Sequence, residues 1–262
     1  MKVKTNGIET NYTIEGEGPW LTMSHSLACN LSMWDDQMKL VTKRFKVLRY
    51  DTRGHGGSSA PTGPYTLDQL ADDAKALLDG LRIKRTHWAG LSMGGMIGQT
   101  FALKYPGVFQ SMVLADTTSR MPANAAPLWA DRVRAVREKG MEGVREGTLQ
   151  RWFTEPYRQK RNDVMERIGR DILSTPVEGF VGCCDPISKV DTTDRLKEID
   201  CPTLVIVGEQ DPGTPPEAAK VIAQNIRGAE LVILPSAAHL ANIEQAEAFN
   251  EALTKFYDRV AK

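Results

Sequence analysis

Gly90-Leu91-Ser92-Met93-Gly94 lies between an apolar run, Thr86-His87-Trp88-Ala89, and a helix-like run from Met96 to Lys104. A serine between glycines at such a junction sits on a sharp strand-to-helix turn, where backbone passes too close to allow a Cβ. The turn raises Oγ above a sheet and sets it at a helix N-terminus, whose partial positive charge favours a developing anion. The five letters alone are common; the strand before them and the helix after them give them weight. They predict an α/β architecture with Ser92 as a nucleophile.

The rest of the chain supplies that architecture. Val3-Lys4-Thr5, Asn6-Gly7 and Ile8 to Ile14 read as a β-hairpin with a tight turn. Six short apolar runs follow: Trp20 to Ser24, Lys46 to Tyr50, Thr86 to Gly90, Ser111 to Ala115, Thr203 to Val207 and Glu230 to Leu234. Each is expected to be a strand buried on both faces. Helical patterns separate several of them. Thr66 with Gln69 forms a capping box, ahead of a stripe of Leu67, Leu70, Ala71, Ala74, Leu77 and Leu78. Phe249, Leu253, Phe256, Tyr257 and Val260 form a second stripe near the C-terminus. The alternation predicts a mainly parallel sheet covered by helices on both sides.

One region breaks the alternation. Residues 117–200 contain no convincing strand, only helical segments punctuated by Gly140, Pro156 and Pro176; Pro127 suits the first turn of a helix through Trp129, Val133 and Val136. Residues 1–116 and 201–262 are therefore expected to form the core. Residues 117–200 are expected to form a helical cap over the C-terminal edge of the sheet, where open α/β sheets place their sites.

Composition removes several classes of function. Lys plus Arg total 33 and Asp plus Glu total 33, so no net field draws the chain onto nucleic acid or an anionic membrane. Met1 to Gly7 lacks the apolar core of a signal peptide, and no run is long enough to span a bilayer. The expected location is cytoplasmic. Cys29, Cys183, Cys184 and Cys201 show no metal-ligand spacing and read as small buried hydrophobes. Neither a metal nor an organic cofactor is expected, and the expected partner is a small molecule, with a homo-oligomer left open.

A nucleophilic serine needs a base. Of four histidines, His239 follows the last predicted strand on a loop that can reach Ser92 and is the expected base. His55 reads as a loop brace and His87 as a packed core residue. His25 follows an early strand, facing the site, and is assigned a positioning contact to substrate. The base needs a carboxylate to hold its tautomer. Asp211, after the strand Thr203–Val207, is preferred; Asp116 competes from the end of the preceding strand, and Glu209 is third, as a loop brace. The order Ser92, Asp211, His239 is that of the strand-turn-helix hydrolases. The oxyanion requires two preorganised N–H donors, assigned to the backbone of Met93 and Leu27.

The region from Arg120 to Arg170 holds twelve Arg or Lys against seven Asp or Glu. The excess reads either as solvated helix faces or, more sharply, as one or two arginines that grip a substrate carboxylate. For that grip Arg132 is preferred, with Arg137 and Arg151 behind it, and Trp152 reads equally as a wall of the pocket or as a tryptophan in the core of the cap.

Together these residues resemble the α/β-hydrolase superfamily and, more narrowly, the 3-oxoadipate enol-lactonases of aromatic-compound degradation. The narrower resemblance rests on Leu31-Ser32-Met33-Trp34, the stretch Leu48 to Gly56, Gly90 to Gly95, Arg151-Trp152-Phe153-Thr154, Gly182-Cys183-Cys184, Asp211 to Pro216 and His239-Leu240-Ala241-Asn242-Ile243-Glu244-Gln245. It implies an eight-stranded sheet and hydrolysis of an enol-lactone through an acyl-enzyme. The chain departs at Ser24-His25-Ser26-Leu27-Ala28, where the family often has Ser-Asn-Ser-Leu-Gly. His25 there is closer to the His-Gly loop of esterases and perhydrolases, so a broad-range carboxylesterase or perhydrolase is the alternative. A hydrolase-like ligand receptor is a third reading.

Overall fold

The computed structural model describes residues 1–261. Eight strands form one sheet: β1 (Lys2–Thr5), β2 (Ile8–Glu15), β3 (Trp20–Ser24), β4 (Lys46–Tyr50), β5 (Thr86–Leu91), β6 (Phe109–Ala115), β7 (Thr203–Gly208) and β8 (Glu230–Leu234). Their spatial order is β1-β2-β4-β3-β5-β6-β7-β8. The β1–β2 and β2–β4 pairs are antiparallel and every other pair is parallel. The first hairpin closes through Asn6 and Gly7, both at positive φ (46° and 77°), the backbone that a two-residue turn between twisted strands demands.

Helices α1 (Asp35–Val41), α2 (Leu67–Gly80) and α3 (Met93–Lys104) connect the early parallel strands. Helix α2 begins as its letters predict: the Thr66 hydroxyl accepts the Gln69 N–H at 3.0 Å, and Leu70, Ala71, Ala74, Leu77 and Leu78 are buried along one face. The chain runs from β3 to β4 on one side, then crosses through α2 to β5 on the other. The order of strands therefore reverses at β3, and the C-terminal ends of β3 and β5 flank the crevice where open sheets bind ligands.

Five helices separate β6 from β7: α4 (Ala125–Lys139), α5 (Glu142–Trp152), α6 (Glu155–Lys160), α7 (Asn162–Ser174) and α8 (Val177–Ser188). They leave and rejoin the sheet through a narrow neck. There Arg120 bridges Asp191 in antiparallel fashion, Thr192 N–H donates to Ser119 C=O at 2.7 Å, and Met121 N–H donates to Val190 C=O at 3.1 Å. Helices α9 (Pro216–Asn225), α10 (Ala241–Glu244) and α11 (Ala246–Val260) complete the chain. No helix among the described residues is long and apolar enough to cross a membrane.

One strand departs from expectation. β8 was expected to be buried on both faces, yet Glu230 and Ile233 are exposed, Ile233 at 39%. As the last strand of the sheet it has a neighbour on one side only, and α9 and α11 cover it incompletely.

His25, His55 and His87 are buried. Burial holds His55 down at about 3 and His87 at about 4, against an ordinary value of 6.5. A histidine lowered in the folded state leaves stability unaffected above about 6.5, where both states are neutral. Below that value the unfolded chain gains protons that the folded chain cannot take, so stability is lost as pH falls toward the folded value. His87, whose Nδ1 pairs with Ser111 Oγ at 2.7 Å, offers a clean comparison. The Tm of His87→Gln is expected to fall less than that of the wild type between about pH 6.5 and about pH 4. Parallel curves would remove His87 as an acid-sensitive group.

Candidate active site

Ser92 joins β5 to α3 at φ 56° and ψ −113°, a strained backbone for a side chain other than glycine. The surrounding glycines explain how the turn fits. A Cβ on Gly90 would meet Gly94 C=O at 2.1 Å, and one on Gly94 would meet Ser24 C=O at 2.2 Å. Ser92 is further held by its N–H donating to Ala115 C=O at 2.9 Å and by the Thr117 hydroxyl donating to its own C=O at 2.7 Å.

His239 Nε2 lies 2.9 Å from Ser92 Oγ, and His239 Nδ1 lies 2.7 Å from Asp211 Oδ2. With Asp211 accepting at Nδ1–H, Nε2 carries the lone pair and faces the serine. Asp211 is itself fixed: Oδ1 accepts the N–H groups of Gly213 (2.8 Å) and Thr214 (3.1 Å), and Oδ2 accepts the Thr214 hydroxyl (2.6 Å). Burial pushes this carboxyl up, but the His239 charge and the hydrogen bonds from His239 and Thr214 outweigh it and hold the group below the usual range. Thr214 was missed in the sequence. A hydroxyl three residues after a loop aspartate, in Asp211-Pro212-Gly213-Thr214, was the signal that could have found it.

Asp116 does not reach His239. Its Oδ1 accepts the Gly208 N–H at 2.8 Å, which braces the end of β7. Burial, reinforced by the nearby Asp211 charge, raises its carboxyl well above the usual range. Asp211 accepts three donors from Gly213 and Thr214, whereas Asp116 Oδ2 has no partner among the described residues. Glu209 accepts only a long contact from Ser236 N–H, at 3.4 Å.

The backbone N–H groups of Leu27 and Met93 have no protein acceptor among the described residues. Leu27 lines the same cavity as Ser92, and Met93 follows the serine directly. His25 is a correction. Expected to contact substrate, its ring is instead fully buried and does not line the cavity. Its Nδ1 donates to Ser26 C=O at 2.7 Å and its Nε2 accepts Thr52 N–H at 2.9 Å, so neither nitrogen is left for a ligand. His55 Nε2 likewise accepts Ala28 N–H at 3.1 Å. The two imidazoles pack 5.2 Å apart and shape the loop from beneath. Ala28 adopts φ 57°, a left-handed backbone in which a glycine would be unstrained.

A cavity of about 80 Å³ opens above Ser92 and His239. Trp152, Arg132 and Arg151 line it from the helical insertion. The Trp152 ring lies nearly parallel to His239, with centroids 6.4 Å apart. Arg132 stacks on Trp129 with its guanidinium carbon 4.3 Å from the ring centroid, and Arg151 donates to the Thr148 hydroxyl at 3.1 Å. Neither arginine has a carboxylate partner among the described residues. Burial lowers Arg132, and burial together with the Arg132 charge lowers Arg151 to about 10. Two half-buried like charges on one cavity wall leave room for an anion. Arg137 is not part of this wall. Five residues beyond Arg132, it is rotated by roughly 140° around the helix, and it pairs with Glu178 on the surface.

A sequence model described as the alpha/beta hydrolase fold matches residues 19–246. The chain belongs to the α/β-hydrolase family. It is 37% identical to 3-oxoadipate enol-lactonase 2 of Acinetobacter baylyi, over 94% of this chain and 92% of the relative. The crystal structure of the enol-lactonase from Burkholderia xenovorans superposes with a TM-score of 0.95 at 37% identity, covering 99% of this chain and 100% of that one. A thermophilic esterase from Thermogutta terrifontis, solved with malate bound, also gives a TM-score of 0.95, at 30% identity and with 100% of each chain covered.

Proposed function

We propose that this α/β hydrolase cleaves a small carboxylate-bearing enol-lactone through an acyl-enzyme, with Ser92 as nucleophile, His239 as general base and Asp211 as its orienting carboxylate. The observation that carries this reading is the unbroken hydrogen-bonded line from Ser92 Oγ through His239 to Asp211. As Ser92 attacks the carbonyl, His239 takes its proton, and the imidazolium forms against Asp211. The oxyanion is received by the Leu27 and Met93 N–H groups. Collapse of the tetrahedral intermediate breaks the ring C–O bond. The departing oxygen takes the proton from His239 and stays tethered as an enol, which tautomerises to a ketone. Water then enters, His239 takes its proton, and the acid is released. The similarity to two enol-lactonases supports the lactone as substrate and a place in aromatic-compound degradation. The small cavity and its paired arginines support a compact substrate with a free acid.

Arg132 and Arg151 together are assigned to that acid. A carboxymethyl enol-lactone is expected to be hydrolysed with kcat/KM at least about tenfold above that of its methyl ester, since a charge-assisted pair is worth roughly 1.5–3 kcal/mol. Arg132→Ala with Arg151→Ala should erase the preference. Equal kcat/KM for acid and ester in the wild type would end the anion-site reading.

A second reading, a broad-range carboxylesterase, is favoured by the altered loop at His25 and Ala28 and by the likeness to the thermophilic esterase. A panel of lactones against p-nitrophenyl esters separates the two.

A further inference from the structure

The stretch His239-Leu240-Ala241-Asn242-Ile243-Glu244-Gln245 contains more buried polar residues than catalysis by His239 requires. Asn242 serves the core: it donates to Met33 C=O at 2.9 Å and to Gln37 Oε1 at 3.1 Å. Gln245, only partly buried, donates to Ser236 C=O at 3.0 Å. Glu244 does something else. It is buried, and its two oxygens face different parts of the molecule. Oε2 accepts the N–H of Ala238, the residue before the histidine, at 2.8 Å. Oε1 accepts both the N–H (2.9 Å) and the hydroxyl (2.5 Å) of Thr154, between α5 and α6. Thr154 stands at the N-cap of α6, yet its hydroxyl makes no capping bond there. From the other flank, the N–H of Leu240, the residue after the histidine, donates to Trp152 C=O at 3.1 Å.

His239 is thus held between two bonds, each leading to the Trp152–Thr154 corner of the helical insertion. That corner ends the helix that carries Arg151. We propose that Glu244 is a positioning residue: it ties the histidine loop to the arginine-bearing corner, so that the base and the wall of the acyl cavity are fixed as one unit. The proposal rests on the reading of His239 as the base. Misplacement of a base by a fraction of an ångström is felt in turnover more than in ground-state binding.

The test uses the full chain, with a carboxymethyl enol-lactone and p-nitrophenyl acetate as separate probes, assayed at a temperature well below every variant's Tm. Glu244→Gln keeps the shape but turns one acceptor oxygen into a donor. It is expected to lower kcat about tenfold, with KM changed less than about twofold. Thr154→Val removes one bond of the same tie and is expected to lower kcat about threefold. Combined, the two should cost no more than Glu244→Gln alone, because both break one linkage. Unchanged kcat with a lowered Tm in either single variant would make Glu244 merely structural and overturn the proposal. Losses that multiply in the double variant would overturn the shared linkage. If Glu244→Gln does not fold, Thr154→Val alone decides by its kcat. A wild type active on p-nitrophenyl acetate but not on the lactone would count against the substrate proposed above, and the comparison of variants would still be read on the ester.

Discussion

Ser92→Ala is expected to lower kcat by about 10⁵- to 10⁶-fold, the loss typical when the nucleophile of a cooperating triad is removed. His239 and Asp211 cannot compensate, because the histidine has no proton to take and no acyl-enzyme can form. Rate enhancement over water should persist at roughly 10³-fold, since the substitution leaves the proposed oxyanion donors, the Leu27 and Met93 N–H groups, untouched. The check is steady-state turnover of the lactone and a burst experiment with a p-nitrophenyl ester, in which the wild type releases one equivalent of p-nitrophenol rapidly and the variant none. Turnover within tenfold of wild type would mean that His239 activates water directly. A wild-type protein that binds stoichiometrically without turnover would instead be a receptor built on the same fold.

Asp211→Asn carries the second largest expectation, about 10⁴-fold in kcat. An amide at this position cannot stabilise the imidazolium, and its NH₂ group favours the wrong tautomer of His239. Asp116→Asn is the matched control. Asp116 Oδ1 accepts from Gly208 N–H, which an asparagine oxygen preserves. Its carboxyl is raised well above the usual range by burial and by the Asp211 charge, and it makes no hydrogen bond to His239, whose Nδ1 faces Asp211. Its kcat should stay within about tenfold of wild type. The reverse order of the two effects would transfer the orienting role to Asp116.

The strands were legible because each is a short apolar run bounded by turn residues, a local property. Ser92 and the loops bearing Asp211 and His239 could be placed for the same reason, since each lies just beyond a strand end. What stayed hidden depends on packing. Asp116 and Asp211 both follow strands of the sheet; chain order favours Asp211, and the fold sets it, not Asp116, against His239 Nδ1. His25 faces the site by chain position, but both its nitrogens are taken by backbone from Ser26 and Thr52. Arg132 and Arg151 are on different helices, so no spacing in the sequence reveals that they share a wall. Arg137 is the opposite case: kept as a candidate behind Arg132, it could have been removed by helical rotation alone. The exposure of β8 follows from its place at the sheet edge, which topology decides.

The neck at Ser119–Met121 and Val190–Thr192 has a consequence for how such a chain can change over time. Because the helical insertion departs and returns at one point, its length and content can vary with little effect on loop closure in the sheet. New specificities can therefore arise by exchange of a cassette while the serine, the histidine and the sheet are inherited intact. The Thr154–Glu244 contact sets a condition on that freedom: an incoming cassette must supply a partner for Glu244, or the inherited histidine loop loses one of its supports.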